Sequence, residues 1–194
     1  MSELPANVVA MMEDELRKQN ENELIERRKH TVRASWRAVR FGMDVQATTI
    51  FYDRLFAEYP MVRPLFKDNM DVQYRKLFDA VSLVVECMDD LDKLVPILQA
   101  LGKAHAGFGT VRAHYEAVTE CFLWMLNSYI FEKMPHNNAV NWIFEVTDAW
   151  EWALTLIGGI MADSGDEVME ENRQKVLAER NEIDEKEEYW VNEM

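Results

Sequence analysis

The sequence is short of the residues that break helices, and it has few cysteines. It contains seven glycines and five prolines among 194 residues, which favours long helices over a turn-rich β fold. Its two cysteines, Cys87 and Cys121, do not form a disulfide framework, and the chain lacks the CxxC pairs that bind zinc. We therefore expect a helical protein of a reducing compartment, and a cytoplasmic location.

Positive charge is also scarce. The chain has 21 lysines and arginines against 35 acidic residues, and its formal net charge is −14. A general nucleic-acid binder would show a basic surplus, so the composition excludes that class and argues against docking on anionic lipid. The longest apolar run, Leu154 to Ala162, is far too short to span a membrane, and the first residues lack a secretory signal.

Apolar residues are plentiful, and they are concentrated in one part of the chain. Hydrophobic residues make up 48% of the sequence, which is enough for a sizeable core. Residues 31–162 hold most of the aromatic and branched side chains, whereas residues 163–194 carry 12 acids and four bases. We predict a folded domain at 31–162, an N-terminal extension at 1–30 and an acidic C-terminal extension at 163–194.

The apolar residues recur at helical spacing. One such face consists of Leu77, Phe78, Val81, Val84, Val85 and Met88. No segment alternates with the period of a strand, and the spans without glycine or proline are long enough for helices: 6–41, 65–95, 110–134, 136–157 and 166–194. The sequence therefore predicts an all-α fold.

Local signals place the ends of the helices. Acidic residues around Asp90 predict the start of a helix, and Gly107 and Gly109 predict its end, where glycine adopts a left-handed cap at low cost. Residues 6–29 are predicted as an added helix with a candidate break at 20–22. The C-terminal extension is interpreted as a solvated helix or a disordered tail, and a partner-docking or dimerisation helix is the alternative.

Four histidines are present, and His105 is the one that stands on an apolar stripe. It follows Leu94, Leu98 and Leu101 at helical spacing. A lone histidine on such a face is most often a satisfied core residue. The alternative is an imidazole that ligates haem iron in an apolar cleft.

Other motifs stand at fixed distances from one another. Phe66 lies six residues after Pro60, Gln73 lies 32 residues before His105, and Tyr115 lies ten residues after His105. With these spacings the predicted domain resembles the globin family, and most of all the microbial single-domain haemoglobins and the globin domain of flavohaemoglobins. The resemblance implies a globin fold, a helical sandwich around a haem b pocket, flanked here by helical or disordered extensions.

The resemblance also assigns roles by position. His105 would be the proximal iron ligand, and Phe66 would stack on the porphyrin. Tyr52 and Gln73 would lie on the distal side as hydrogen-bond donors to O2. The remaining positions would line the pocket or its edge: Lys76, Leu77, Leu101, Tyr115 and Val118. Each of these residues also suits an ordinary helical protein, and Lys76 in particular suits a solvated surface charge.

One departure from the flavohaemoglobin pattern affects the proximal side. In that family a glutamate late in the last helix and a tyrosine on the preceding helix brace the proximal histidine. Tyr115 matches the tyrosine, but alignment on Trp150 puts the glutamate position near Gly165. A reductase domain is also missing from the 194 residues, so turnover would need an external reductase.

These features leave several functions open. The main prediction is a haem protein that binds O2 reversibly and also takes NO and CO. The second is NO dioxygenation with an external reductase, and the third is a sensor or interaction protein whose extensions contact a partner or a second copy. A globin fold without haem is disfavoured, because His105, Phe66, Tyr52 and Gln73 are all present.

Overall fold

The computed structural model describes residues 6–42, 45–67, 69–133 and 136–192. Every regular element in these ranges is helical, which confirms the predicted all-α class. The elements are α1 (Ala6–Gly42), α2 (Val45–Glu58), a 3₁₀ helix (Pro60–Leu65), α3 (Met70–Cys87), α4 (Leu91–Gly107), α5 (Arg112–Lys133) and α6 (His136–Asn192). Within the same ranges, no helix combines the length and the apolar character needed to cross a membrane.

The two ends of α4 follow the local signals in the sequence. The Asp90 side chain accepts a hydrogen bond from the backbone N–H of Lys93 at 3.1 Å, as an N-cap does. At the other end Gly107 is still helical, and Gly109 takes the left-handed conformation with φ of 90°. The predicted start is therefore confirmed, and Gly109 is the glycine that turns the chain.

α1 is longer than the sequence pattern suggests. It passes through residues 20–22 without interruption, so the predicted break there is wrong. Neither glycine nor proline occurs in this stretch, and asparagine costs a helix less than about 0.7 kcal/mol relative to alanine. The side chain of Gln19 also donates to Glu23 at 3.1 Å, across the same turn.

α6 is also continuous, although it contains Gly158, Gly159 and Gly165. Two of these glycines allow close packing. A Cβ at Gly158 would lie 3.3 Å from the Cβ of Tyr115 on α5, and a Cβ at Gly165 would lie 3.4 Å from the carbonyl oxygen of Gly102 on α4. Tertiary packing offsets the helix-breaking tendency of glycine here. Residues 170–183 are helical and exposed, so this part of the C-terminal extension is a solvated helix.

The main core lies between α1, α2, α5 and α6, and aromatic side chains fill much of it. Trp36 of α1 lies 5.9 Å from Trp150 of α6 and 6.5 Å from Phe122 of α5, measured between ring centroids. The indole N–H of Trp150 donates to the hydroxyl of Ser35 at 2.9 Å, which satisfies a buried donor. This core holds α2 and α5, two of the helices that carry the candidate site.

The backbones of α4 and α6 touch at Gly102. A Cβ at Gly102 would overlap the carbonyl oxygen of Met161 and would lie 2.7 Å from the Cα of that residue. Only glycine permits this approach. Arg112 adds ion pairs from the start of α5 to Asp163 and Asp166 of α6, each at 2.7 Å. Because Gly102 has no side chain that could adjust, its backbone contact with Met161 fixes the position of α4 against α6.

We expect Gly102→Ala to lower the free energy of unfolding by about 1–3 kcal/mol or more, because the added methyl group meets backbone that cannot rotate away. Gly159→Ala is the matched control, since nothing lies within 4 Å of its Cβ position. Alanine there should stabilise the helix by up to about 1 kcal/mol. Urea unfolding followed by circular dichroism measures both, and equal stabilities would contradict the close contact.

Candidate functional site

Tyr52 on α2 is the most buried of the predicted site residues, with 4% of its surface exposed. Its hydroxyl donates a long hydrogen bond of 3.5 Å to the backbone carbonyl of Gln73 on α3. Burial, followed by the neighbouring Tyr74, raises the pKa of the Tyr52 phenol. The phenol therefore keeps its proton at neutral pH and can act as a donor.

Phe66 lies beside Tyr52, immediately after the 3₁₀ helix. The two ring centroids are 5.4 Å apart and the ring planes meet at 79°, an edge-to-face contact. Phe56 lies 5.3 Å from Phe66, and Tyr74 lies 5.5 Å from Tyr52. Phe56 and Tyr74 are absent from the predicted set. Two features of the sequence could have identified them. Phe56 lies four residues after Tyr52 on one helix, and Tyr74 is adjacent to Gln73.

Four further predicted residues occupy α3 and α5. Gln73, Leu77 and Val118 are half-buried, and Lys76 is exposed. Leu77 and Val118 pack against the apolar cluster that contains Tyr52. The structure thus brings Tyr52, Leu77 and Val118 together, while Lys76 lies at the surface of the same helix as Gln73.

His105 lies in the last turn of α4 and is half-buried. Its Nδ1 atom lies 2.8 Å from the carbonyl oxygen of Leu101, one turn earlier. A carbonyl oxygen only accepts hydrogen bonds, so Nδ1 carries the hydrogen, and in the neutral imidazole Nε2 then has the lone pair. No side chain or backbone group in the described ranges hydrogen-bonds to Nε2. The ring can therefore offer this nitrogen to a metal.

Tyr115 on α5 lies next to His105, with 6.3 Å between the ring centroids. Burial, followed by the charge of Asp166, raises the pKa of the Tyr115 phenol. Among the described residues, none accepts a hydrogen bond from this phenol, and Gly158 is the α6 residue that lies against its Cβ. Gly165, the position aligned with the family's glutamate, lies instead against α4.

Six of the predicted site residues belong to two apolar clusters or pack against them. Tyr52, Phe66, Leu77 and Val118 lie in or against the first cluster, and Leu101 and Tyr115 lie against the second. Ile157 of α6 packs against both clusters, so they adjoin. Ile157 was absent from the predicted set, although it belongs to the apolar face of α6 that includes Trp150.

The chemistry of this arrangement suits a haem. A flat apolar macrocycle requires apolar contacts on two sides, and its iron requires one good nitrogen donor. The two clusters and Nε2 of His105 can provide these. In the part of the chain that the structure describes, no three side chains of His, Cys, Asp or Glu gather as a metal cluster. The imidazole of His105 is the nitrogen donor that this arrangement offers.

Comparisons with known proteins agree with this description of the fold. A profile of the globin family matches residues 49–160, which is more than half of the chain. The flavohemoprotein of Pseudomonas aeruginosa is 26% identical over 123 residues, which is 62% of this chain and 30% of that protein. This chain spans about a fifth to a third of the length of the curated flavohemoproteins that it matches.

Solved structures are similar over most of the chain. An engineered carbene transferase, derived from a candidate nitric oxide dioxygenase of Rhodothermus marinus, has a TM-score of 0.61 and 24% identity. The match covers 79% of this chain and 97% of that chain. A bacterial globin from Campylobacter jejuni has a TM-score of 0.56 and 21% identity, with 77% and 99% covered. At these identities the likeness concerns the fold alone. Taken with the family profile, it establishes that the protein belongs to the globin family.

Proposed function

We propose that the domain at 31–162 binds haem b through Nε2 of His105 and that it binds O2 reversibly, as well as NO and CO. When bound, haem supplies an iron that accepts one nitrogen from the protein and one diatomic gas. The observation that carries the proposal is the arrangement of the His105 ring. Its Nδ1 is hydrogen-bonded to the Leu101 carbonyl, which leaves Nε2 for binding to iron. Tyr115, whose ring centroid lies 6.3 Å from that of His105, packs against the second apolar cluster.

On the proximal side, the protein would orient its ligand through the backbone. The hydrogen bond of 2.8 Å from Nδ1 to the Leu101 carbonyl sets the tautomer of His105 and limits rotation of its ring. The contact of Gly102 with α6 limits movement of the helix that carries both groups. Because the position of the family's glutamate falls near Gly165, we expect no carboxylate there to add anionic character to the His105 imidazole.

On the distal side, the buried phenol of Tyr52 would donate to the gas. Its present hydrogen bond to the Gln73 carbonyl is long, 3.5 Å, so little energy is lost when the hydroxyl turns elsewhere. The Gln73 amide would add a second donor, and an amide is a poor iron ligand. Phe66, Leu77 and Val118 would exclude water, which strengthens such hydrogen bonds.

Replacement of His105 by alanine tests the ligand assignment. We expect His105→Ala to lose haem or retain it weakly, and added imidazole to restore binding by supplying the missing nitrogen. His114→Ala is the matched control. His114 is also half-buried, but its Nδ1 accepts a hydrogen bond from the Val111 N–H at 3.2 Å at the start of α5. An unchanged Soret band and CO spectrum in His105→Ala would contradict the assignment.

Replacement of Tyr52 by phenylalanine tests the distal donor. O2 takes up more negative charge than CO at ferrous iron, so a donor favours O2. Hydrogen bonds to charged groups contribute about 1.5–3 kcal/mol. We therefore expect O2 release to accelerate by roughly ten- to a hundredfold, with CO release nearly unchanged. Gln73→Leu should have a smaller effect in the same direction, because its flexible amide can turn to solvent.

Stopped-flow measurement of O2 and CO release compares these variants. Tyr59→Phe is the control, since it removes a phenol hydroxyl that donates to Glu120 outside the site. If Tyr52→Phe releases O2 within a factor of two of the unmodified protein, Tyr52 is not the donor.

NO dioxygenation is the second candidate, and the flavohemoprotein relatives and the R. marinus neighbour favour it. The same Tyr52 and Gln73 would hold O2 for reaction with NO to give nitrate, and a reductase outside these 194 residues would supply the electrons. Steady-state NO consumption with an added reductase separates the two functions. Catalytic turnover with one nitrate per NO supports dioxygenation, and a single stoichiometric reaction supports reversible O2 binding.

A further inference from the structure

The first half of α1 carries a long exposed face. Leu16 is 58% exposed, and the charged residues around it are exposed as well. A shallow open depression follows this face, lined by Glu13, Leu16, Arg17, Asn20, Glu21 and Leu24. Leu24, on the same side of the helix, is half-buried. Two leucines bordered by charges on one helix face form an apolar strip of the kind found at interaction surfaces.

The face has an internal symmetry. A helix turns by about 100° per residue, so seven side chains between positions 13 and 27 lie within roughly 60° of the direction of Asn20. They are Glu13, Leu16, Arg17, Asn20, Glu23, Leu24 and Arg27. Counted outward from Asn20, each leucine has a leucine as its counterpart, and each acid has a base.

We propose that this face of α1 binds the same face of a second copy of the chain, with the two helices antiparallel and a twofold axis at Asn20. Leu16 then opposes Leu24 of the second copy. Glu13 opposes Arg27, and Arg17 opposes Glu23. Twofold symmetry forms each of these contacts twice, as in an isologous dimer.

Charge complementarity favours a second copy in this orientation. Each chain has a net charge of −14, so most surfaces of two copies repel each other. This face holds two acids and two bases and is neutral. A parallel arrangement would place Glu13 against Glu13 and Arg17 against Arg17, which is unfavourable.

The two asparagines on the axis complete the pattern. A single asparagine in an otherwise apolar helix seam is known to fix the register and the number of strands, because its amide finds a partner only in one alignment. Here Asn20 meets Asn20 only when the leucines and all charges are also matched. The exposed apolar residues of α6 offer no such match, because Val176 and Ile183 lie in the segment with 12 acids and four bases.

Contacts within the chain do not prevent this pairing. Arg17 forms an ion pair with Asp14, and Gln19 donates to Glu23 at 3.1 Å, both on the helix surface. Exposed pairs of this kind are worth only a few tenths of a kcal/mol, roughly, so their side chains can change partners.

Sedimentation equilibrium of the full chain tests the proposal, and we expect a reversible monomer–dimer equilibrium. Arg17→Glu should raise the dimer dissociation constant by roughly tenfold, because it sets acid against acid at two symmetric places. Glu23→Arg should act in the same way. The double variant Arg17→Glu/Glu23→Arg should return to the original constant, because it exchanges the charges without losing the match.

Lys18→Glu is the matched control. It makes the same change of charge as Arg17→Glu, but it lies on the opposite side of the helix from Asn20, about 160° away. We expect the dimer dissociation constant of Lys18→Glu to stay within a factor of two. A monomer at every concentration, a double variant that fails to recover, or an equal loss in Lys18→Glu would each overturn the proposal. Circular dichroism verifies that each variant remains helical, and none of these outcomes depends on haem.

Discussion

The direct contact between the backbones of α4 and α6 determines how the proposed proximal side of this globin is built. Gly102 lies so close to Met161 that no side chain fits between the two helices. Gly165 extends the contact by one further turn of α6, against Gly102 and Ala106. His105 stands between these points on α4, so the packing of two glycines sets where its imidazole can lie.

The proposed distal side is organised by aromatic packing. Tyr52 is buried among Phe51, Phe66 and Tyr74, and its ring is held by edge-to-face and tilted contacts. Burial keeps the phenol protonated, which preserves it as a hydrogen-bond donor. The two proposed sides thus depend on different interactions. Close backbone packing positions His105, the proposed ligand, and burial preserves Tyr52 as the proposed donor. Ile157 packs against both apolar clusters.

Periodicity predicted the helical class and the apolar stripe that leads to His105, because both depend on residues near in sequence. Features that depend on tertiary contacts could not be predicted from periodicity. The low helix propensity of glycine favours breaks in the helix at Gly158 and Gly165. However, α6 continues through both positions, because neighbouring helices pack closely against them. Tyr74 was not predicted, because its contact with Tyr52 depends on how α3 packs against α2. Phe56 lies one turn after Tyr52 on α2, so its contact was open to prediction from the sequence. The roles of the candidate residues stay predictions from the resemblance.

The visible spectrum of the ferrous protein, reconstituted with haem and free of O2, tests the central claim most directly. A single nitrogen from His105, with Tyr52 and Gln73 as donors that ligate iron poorly, predicts a mainly five-coordinate, high-spin spectrum that changes fully on addition of CO. A sharp low-spin, six-coordinate spectrum would show a second internal ligand and contradict the distal assignment. Failure to bind haem at all would contradict the site itself.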